Sequence, residues 1–368
     1  MNINFNRSAL LDCLGLLTSV VPNRTPKPIL KCVLISAKDK LVRLSATDLE
    51  VGITYALSQA EVIEAGEFVV PAERLAAIVR ESTDEVLRFS AGEDTCQVRG
   101  CDSEFTIYGH KADQYPAVGA GETKADVEVA LAELQTGIQQ CLFATAKESS
   151  RYALNGVLWE AKGKKLSLVA TDGRRLARSR AALAGAASER MTKEKMIVPS
   201  KAMSLIEKLH SSDKDNVSLT LLNNQVQIRC GHVEIVSNLV EGNFPKYEDI
   251  IPADYDKKLT LSVEATLSAV RRCALLTTDE SRGIKIAVGK GAVVFSCRAP
   301  EAGDARIEMA ADYNGEPIEI GFNPHFLIDA LRVMPTAEFE FELGQPDRPG
   351  LIKSGANFLY VLMPLNLG

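Results

Sequence analysis

Nowhere does this sequence carry an apolar run approaching the ~18 residues that a membrane span needs, and Met1 to Leu17 is broken by charged and polar residues where a signal peptide requires a continuous apolar core. The expectation is a cytoplasmic protein with no membrane attachment. The eight cysteines, Cys13, Cys32, Cys96, Cys101, Cys141, Cys230, Cys273 and Cys297, include no Cys-x-x-Cys pair, so buried free thiols are expected rather than disulfides or zinc. His110, His210, His232 and His325 are far apart, without the spacing that sets two ligands on one helical face. No metal and no cofactor is expected. Catalytic signatures are missing as well: there is no Gly-x-Ser-x-Gly elbow, no phosphate-cradling Gly-x-x-x-x-Gly-Lys-Ser loop and no Gly-x-Gly-x-x-Gly turn after a strand. An enzyme would have to rest on Asp172, or on Ser149-Ser150 beside His232 or His110. Asp172 followed by Gly173 reads more simply as a turn in which the aspartate ties down local N–H groups. Positive charge is also in deficit, with a formal net charge of −6, so any surface that meets nucleic acid must be local.

What is present is a chain of 368 residues, 46% hydrophobic and 24% charged, too long for one core and ordinary in composition for packed domains. It repeats. Glu67-Phe-Val-Val-Pro71-Ala-Glu-Arg-Leu, Lys195-Met-Ile-Val-Pro199-Ser-Lys-Ala-Met and Ile318-Glu-Ile-Gly-Phe-Asn-Pro324-His-Phe-Leu share an apolar strand, a proline and an amphipathic helix, with the prolines almost evenly spaced. Proline suits a helix's first turn, where its missing N–H would be unpaired and its φ is already helical. Three short alternating runs follow each helix. After the second, they are Val217 to Leu221, Val226 to Cys230 and Val233 to Leu239, a period of two that predicts a meander with one buried face. A second helix series is predicted upstream at Asn6 to Leu17, Leu131 to Phe143 and Ser262 to Leu276. In the middle one Leu131, Leu134, Ile138 and Leu142 form one stripe. The sum is six βαβββ units in three pairs, with linkers at Val118 to Lys124 and Ala253 to Lys258. Such a chain carries many strand edges, which invite aggregation unless paired, and closing the sheets into a ring through a head-to-tail contact between copies would remove them.

Four strings sharpen the reading: Arg151-Tyr-Ala-Leu-Asn-Gly156, Ala170-Thr-Asp-Gly-Arg-Arg-Leu-Ala177, Glu241-Gly-Asn-Phe-Pro-Lys-Tyr247 and Tyr360-Val-Leu-Met-Pro-Leu-Asn-Leu367. In this order, on a threefold repeat, they resemble the signature segments of the β subunit family of bacterial DNA polymerase III. The likeness runs from Met1 to Gly368. It implies an α+β chain of three similar domains in the DNA clamp fold, at residues 1–121, 127–252 and 256–368. Each is a pair of βαβββ units, with helices lining a ring and sheets outside. It further implies a non-catalytic processivity factor: a head-to-tail homodimer that encircles double-stranded DNA without reading sequence. Its other partners would be the polymerase III α subunit, the clamp loader and further proteins bearing a clamp-binding motif.

Carried over by motif, the family's pocket for short hydrophobic peptides falls on Leu154, Thr171, Gly173, Arg174, Arg175, Leu176, Pro245, Ile250, Val361, Met363, Pro364 and Leu365. An apolar cleft supplies burial, and Met363 adapts to different partners. Taken without the resemblance, Leu154, Leu176, Pro245 and Val361 read as core and Arg174-Arg175 as a solvated pair. For DNA the resemblance points to Arg24 in the Pro22-Asn-Arg-Thr-Pro loop, Tyr152, and basic residues chosen as Arg74, Lys147, Arg151 and Lys201, all suited to weak, salt-sensitive phosphate contact. For the subunit contact it points to Phe105, Ile107, Leu275 and Leu276. Glu73, Ala153 and Asn366 depart from the family pattern, where a basic residue, a second tyrosine and an arginine are common. A protein-only adaptor stays open as an alternative. Convergence of Arg7, Arg74, Arg80, Lys201, Lys208, Arg271 and Arg332 on one surface would favour DNA in the hole, and scatter would favour the adaptor.

Overall fold

A computed structural model of the chain describes residues 1–119, 121, 123–147, 153–210, 215–251, 255–278 and 282–366. The fold is α+β, with four antiparallel sheets and seven α-helices among the described residues. By packing, the chain divides into two compact units, residues 1–132, 183–194 and 201–239 in the first, and 133–182, 195–200 and 240–368 in the second.

The first unit holds a five-stranded sheet in the order Ala60–Glu64, Asn2–Asn6, Val86–Ala91, Thr95–Arg99, Glu104–Tyr108. Its eight-stranded sheet runs Val127–Ala130, Asn216–Leu221, Gln225–Cys230, Val233–Asn238, Val51–Leu57, Leu41–Thr47, Cys32–Lys38, Gly66–Pro71. The seam inside it pairs Val233 with Tyr55 and Ser237 with Val51. The second unit holds an eight-stranded sheet in the order Met196–Pro199, Gly156–Lys162, Lys165–Thr171, Arg175–Ala182, Phe358–Leu362, Gly350–Ser354, Glu338–Leu343, Lys257–Ser262. Its seam pairs Arg175 with Leu362 and Arg178 with Leu359. A four-stranded sheet, Gly303–Ala310, Ala292–Ala299, Ile284–Gly289, Ile318–Phe322, completes that unit. The packing units cut across the sequence repeat because each eight-stranded sheet joins four strands from one repeat to four from the next.

The helices are α1 (Arg7–Thr18), α2 (Ala72–Glu81), α3 (Leu131–Leu142), α4 (Glu189–Lys193), α5 (Ser200–Glu207), α6 (Val263–Ala274) and α7 (Pro324–Leu331). Side-chain caps set their starts: Asn6 accepts from the Ala9 N–H, Ser262 from Ala265 and Asn323 from His325. The repeated prolines do not all act as expected. Pro324 is the first residue of α7, but Pro71 is the N-cap of α2 and Pro199 ends a strand, each still in ladder register, with Cys32 and Gly156. At these two positions the ring fixes an extended-to-helical bend instead of filling the first turn. The expected linker at Ala253 to Lys258 is shorter than read, since Lys257 opens a strand paired with Leu343, while Ala253 lies outside the described residues.

Seven of the eight cysteines are buried and all eight are free, with Cys101 exposed. Phe5 meets Phe89 edge to face at 4.7 Å in one core, and Trp159 and Tyr360 are fully buried in the other.

Candidate functional site

The Thr171–Arg175 turn links two adjacent strands, and its sequence dictates its shape. The Thr171 hydroxyl donates to the Arg175 carbonyl at 2.6 Å and accepts the Gly173 N–H at 3.1 Å. Asp172 Oδ1 accepts the N–H groups of Arg174 and Arg175. Gly173 takes φ +85°, a left-handed conformation that glycine adopts without steric cost. The turn expected at Asp172-Gly173 is therefore present, and its carboxylate is spent on structure.

Arg175 is not the solvated residue its charge suggests. It is 9% exposed, with Nε on Asp172 Oδ2 at 3.0 Å, Nη1 on Asp329 Oδ2 at 2.7 Å and Nη2 on the Phe143 carbonyl at 2.7 Å. The Phe326 ring covers the guanidinium at 4.3 Å and the Phe143 ring lies at 5.4 Å. Burial works against its charge, but Tyr360, Asp329 and Asp172 offset that and hold its pKa above the usual value. Burial pushes the Tyr360 hydroxyl in turn well above the ordinary tyrosine range, and that hydroxyl donates to the Phe326 carbonyl.

Around this anchor the strap after the last strand is fixed by its backbone: Met363 N–H donates to the Arg174 carbonyl at 3.0 Å and Leu365 N–H to the Gly321 carbonyl at 2.8 Å. Leu176 and Val361 face each other in register, buried in one cluster with Tyr247 and Leu359, against which Phe244 and Tyr255 pack. Leu154 and Thr171 are buried too, and Pro245 is half-buried. Ile250, Met363 and Leu365 are large apolar side chains each left 37–39% exposed. Pro364 and Leu365 also line a cleft of about 510 Å³ with Lys285, Glu319, Ile320, Pro346 and Asn366. That volume is in the range that holds small ligands and peptide side chains.

Of the DNA-contact candidates, Arg24, Arg74 and Lys147 are exposed, whereas Arg151 and Tyr152 lie outside the described residues. Lys201 is tied internally, to Asp48 Oδ2 and to the Val20 carbonyl, which leaves one N–H for any phosphate. Within the first unit Arg74, Arg80 and Lys208 are exposed, and Arg7 bonds the Val79 carbonyl. Within the second, Arg271 and Arg332 are exposed. Glu73 is exposed, while Ala153 is buried. Of the subunit-contact candidates, Leu275 is 79% exposed, Phe105 39% and Leu276 partly buried, but Ile107 is a core residue at 4%.

Three family models cover almost the whole chain: the DNA polymerase III beta subunit N-terminal domain at residues 1–119, its central domain at 128–246 and its C-terminal domain at 248–366. The beta sliding clamp of Caulobacter vibrioides is 33% identical, with both chains covered in full. The chain belongs to the DNA polymerase III beta subunit family. Among solved structures, the beta subunit from Pseudomonas aeruginosa superposes with a TM-score of 0.93 at 31% identity over all of both chains. A sliding clamp of the same organism bound to griselimycin has a TM-score of 0.93 at 30% identity, again over both whole chains. The protein is a replication processivity clamp, a non-catalytic subunit of the polymerase holoenzyme.

Nothing in the sequence singled out Phe143, Phe326 or Asp329, and Tyr360 stood only as the first residue of the C-terminal string. One signal was available for two of them. The repeated proline starts α7 at Pro324, which puts Phe326 and Asp329 three residues apart on one helical face. The partnership of that face with Arg175 is a contact across 154 residues that no local pattern contains.

Proposed function

We propose that two copies of the chain close head to tail into a cytoplasmic ring around duplex DNA, each copy built of domains at 1–121, 127–252 and 256–368. The observation that carries this is a count of strand edges. Two four-stranded sets join within each eight-stranded sheet, always through the third strand of a meander: Val233–Asn238 to Val51–Leu57, and Phe358–Leu362 to Arg175–Ala182. The equivalent strands Glu104–Tyr108 and Gly303–Ala310 are left as open edges. Pairing one with the other on a second copy makes a third seam of the same kind, heterologous and closed after two copies. Exposed Phe105 and Tyr108 on the first edge, and Leu275 at the end of α6, supply apolar surface for that seam. Ile107 serves it from within the core, by holding the edge strand.

Arg24, Arg74 and Lys147 touch phosphates, with Arg151, Tyr152 and the remaining N–H of Lys201 as further contacts. The negative remainder of the surface disfavours DNA elsewhere. The residues around the Arg175 turn, from Leu154 to Leu365, form a pocket for short hydrophobic peptides of the polymerase III α subunit, the clamp loader and other clamp-binding proteins. Support comes from the exposed apolar side chains of Ile250, Met363 and Leu365 and from the griselimycin complex of the P. aeruginosa clamp. The test is topological: the protein is loaded on a nicked circular plasmid by a clamp loader, the plasmid is cut once, and release is followed by gel filtration. A closed ring stays on circles and runs off linear DNA. Equal retention, or equal loss, on both forms refutes it and favours a protein-only scaffold.

A further inference from the structure

We propose that Asp329 on α7 is a positioning residue for the peptide pocket: by holding the Arg175 guanidinium it fixes the turn that carries Gly173, Arg174 and Leu176, and through the turn the strap at Met363. This inference rests on the pocket reading above. The guanidinium is a rigid fork of donors, and three separate elements take its directions: Asp172 within the turn, the Phe143 carbonyl just past α3, and Asp329 on α7. α7 grips it twice, because Phe326, one helical turn before Asp329, lies over its face at 4.3 Å. Arg175 reaches both lips of the pocket through the backbone. Its N–H and its carbonyl are bonded inside the turn, and the carbonyl of the adjacent Arg174 receives the Met363 N–H.

The placement of Asp329 argues for a role beyond its own helix. It sits in the last turn of α7, which ends at Leu331, where a carboxylate faces the negative end of the helix dipole and destabilises the helix it belongs to. Its compensation is the 2.7 Å ion pair with Arg175. Of the two carboxylates on Arg175, Asp329 is the more exposed, 34% against 19% for Asp172, and the only one that does not also cap the turn.

The experiment measures binding of a fluorescein-labelled peptide, copied from the clamp-binding segment of the polymerase III α subunit, to the full-length dimer by anisotropy and stopped flow, with griselimycin as a second probe. Asp329→Asn is expected to raise Kd about tenfold, chiefly through faster dissociation, because the buried Arg175 guanidinium loses one of its two carboxylates. Asp329→Glu is expected to restore binding, which a general loss of helix stability would not predict. In an Arg175→Met background Asp329→Asn should add nothing, since residues acting through one group are not additive. Wild-type affinity in Asp329→Asn, failure of the glutamate to rescue, or full additivity with Arg175→Met overturns the proposal. Met363→Ala with Pro364→Ala serves as the separate check on the pocket: if that variant binds both probes normally, the pocket reading itself is wrong, whatever Asp329 does.

Discussion

The turn at Thr47–Val51 and the turn at Thr171–Arg175 are the same object built twice. In each, a threonine hydroxyl donates to the carbonyl four residues on and accepts the N–H two residues on, and an aspartate Oδ1 accepts the next two N–H groups. The third residue takes φ +79° in one and +85° in the other. Each turn lies beside a sheet seam, and the strand across it ends with an N–H donated to the turn's fourth carbonyl, from Asn238 to Glu50 and from Met363 to Arg174. The side chains diverge. Asn238 donates back to the Leu49 carbonyl and accepts from Gln225, so the first turn is sealed by polar groups, while Met363 projects outward at 39% exposure. Val51 is ordinary core where Arg175 anchors a network. Asp48 reaches Lys201 two residues after Pro199, whereas two residues after Pro324 stands Phe326, stacked on Arg175. A scaffold copied faithfully down to its hydrogen bonds leaves an exposed apolar side chain at one copy, where the pocket is proposed, and a polar closed joint at the other. The activity resides in the decoration.

The largest effect that would test this contrast is on peptide affinity. Met363→Ala with Pro364→Ala should weaken peptide binding by about a hundredfold or more, because the exposed apolar wall is removed, and leave the oligomeric state unchanged by sedimentation. Asn238→Ala, at the matching place in the first turn, should leave affinity within about twofold of wild type. Comparable losses from both would mean that the two turns are not functionally distinct. A smaller effect is on stability. Asp172→Ala removes two turn hydrogen bonds and half the carboxylate support of a buried guanidinium, for an expected cost of about 3 kcal/mol in urea unfolding. Asp48→Ala removes the same bonds but frees a half-exposed lysine that water can take up, for about 1.5 kcal/mol. Equal costs would show that Arg175 draws little from Asp172.

How far these differences could be read in advance follows from their range along the chain. The repeat, the upstream helix series and the meanders are local, since period-two runs and helical stripes act within a few residues, and they emerge where the pattern places them. Asp172-Gly173 as a turn is equally local. The two seams are not, because Arg175 opposite Leu362 and Val51 opposite Ser237 join segments nearly two hundred residues apart. In the proposed ring, only the leftover edges, visible once the sheets are assembled, locate the second copy. Lys201 illustrates the limit from the other side. A lysine after a repeated proline at the start of an amphipathic helix looks free to meet phosphate, and nothing nearby in sequence announces Asp48 as its partner. Arg174-Arg175 divides the same way: identical residues side by side, one exposed and one buried among two aromatic rings and two carboxylates, decided by contacts to α7 that lie in the last repeat.

The finest test concerns the third residue of each turn, where the backbone is the same and the residues differ. Leu49 holds a left-handed φ despite its side chain, a conformation that costs a non-glycine residue ~1–2 kcal/mol, and its side chain recovers little of this because it is 46% exposed. Gly173 meets the same φ without cost, and a Cβ there would touch nothing within 4 Å, so steric crowding plays no part. Gly173→Ala should therefore destabilise by about 1 kcal/mol through backbone strain alone. Leu49→Gly should be neutral or stabilising by about 0.5 kcal/mol, relief of strain slightly exceeding the entropy that glycine adds to the unfolded chain. Thermal unfolding of the two variants gives the signs directly. If Leu49→Gly proves destabilising by as much as Gly173→Ala, then the Leu49 side chain is held by a contact that the exposed turn does not reveal, and the first turn is not the inert member of the pair.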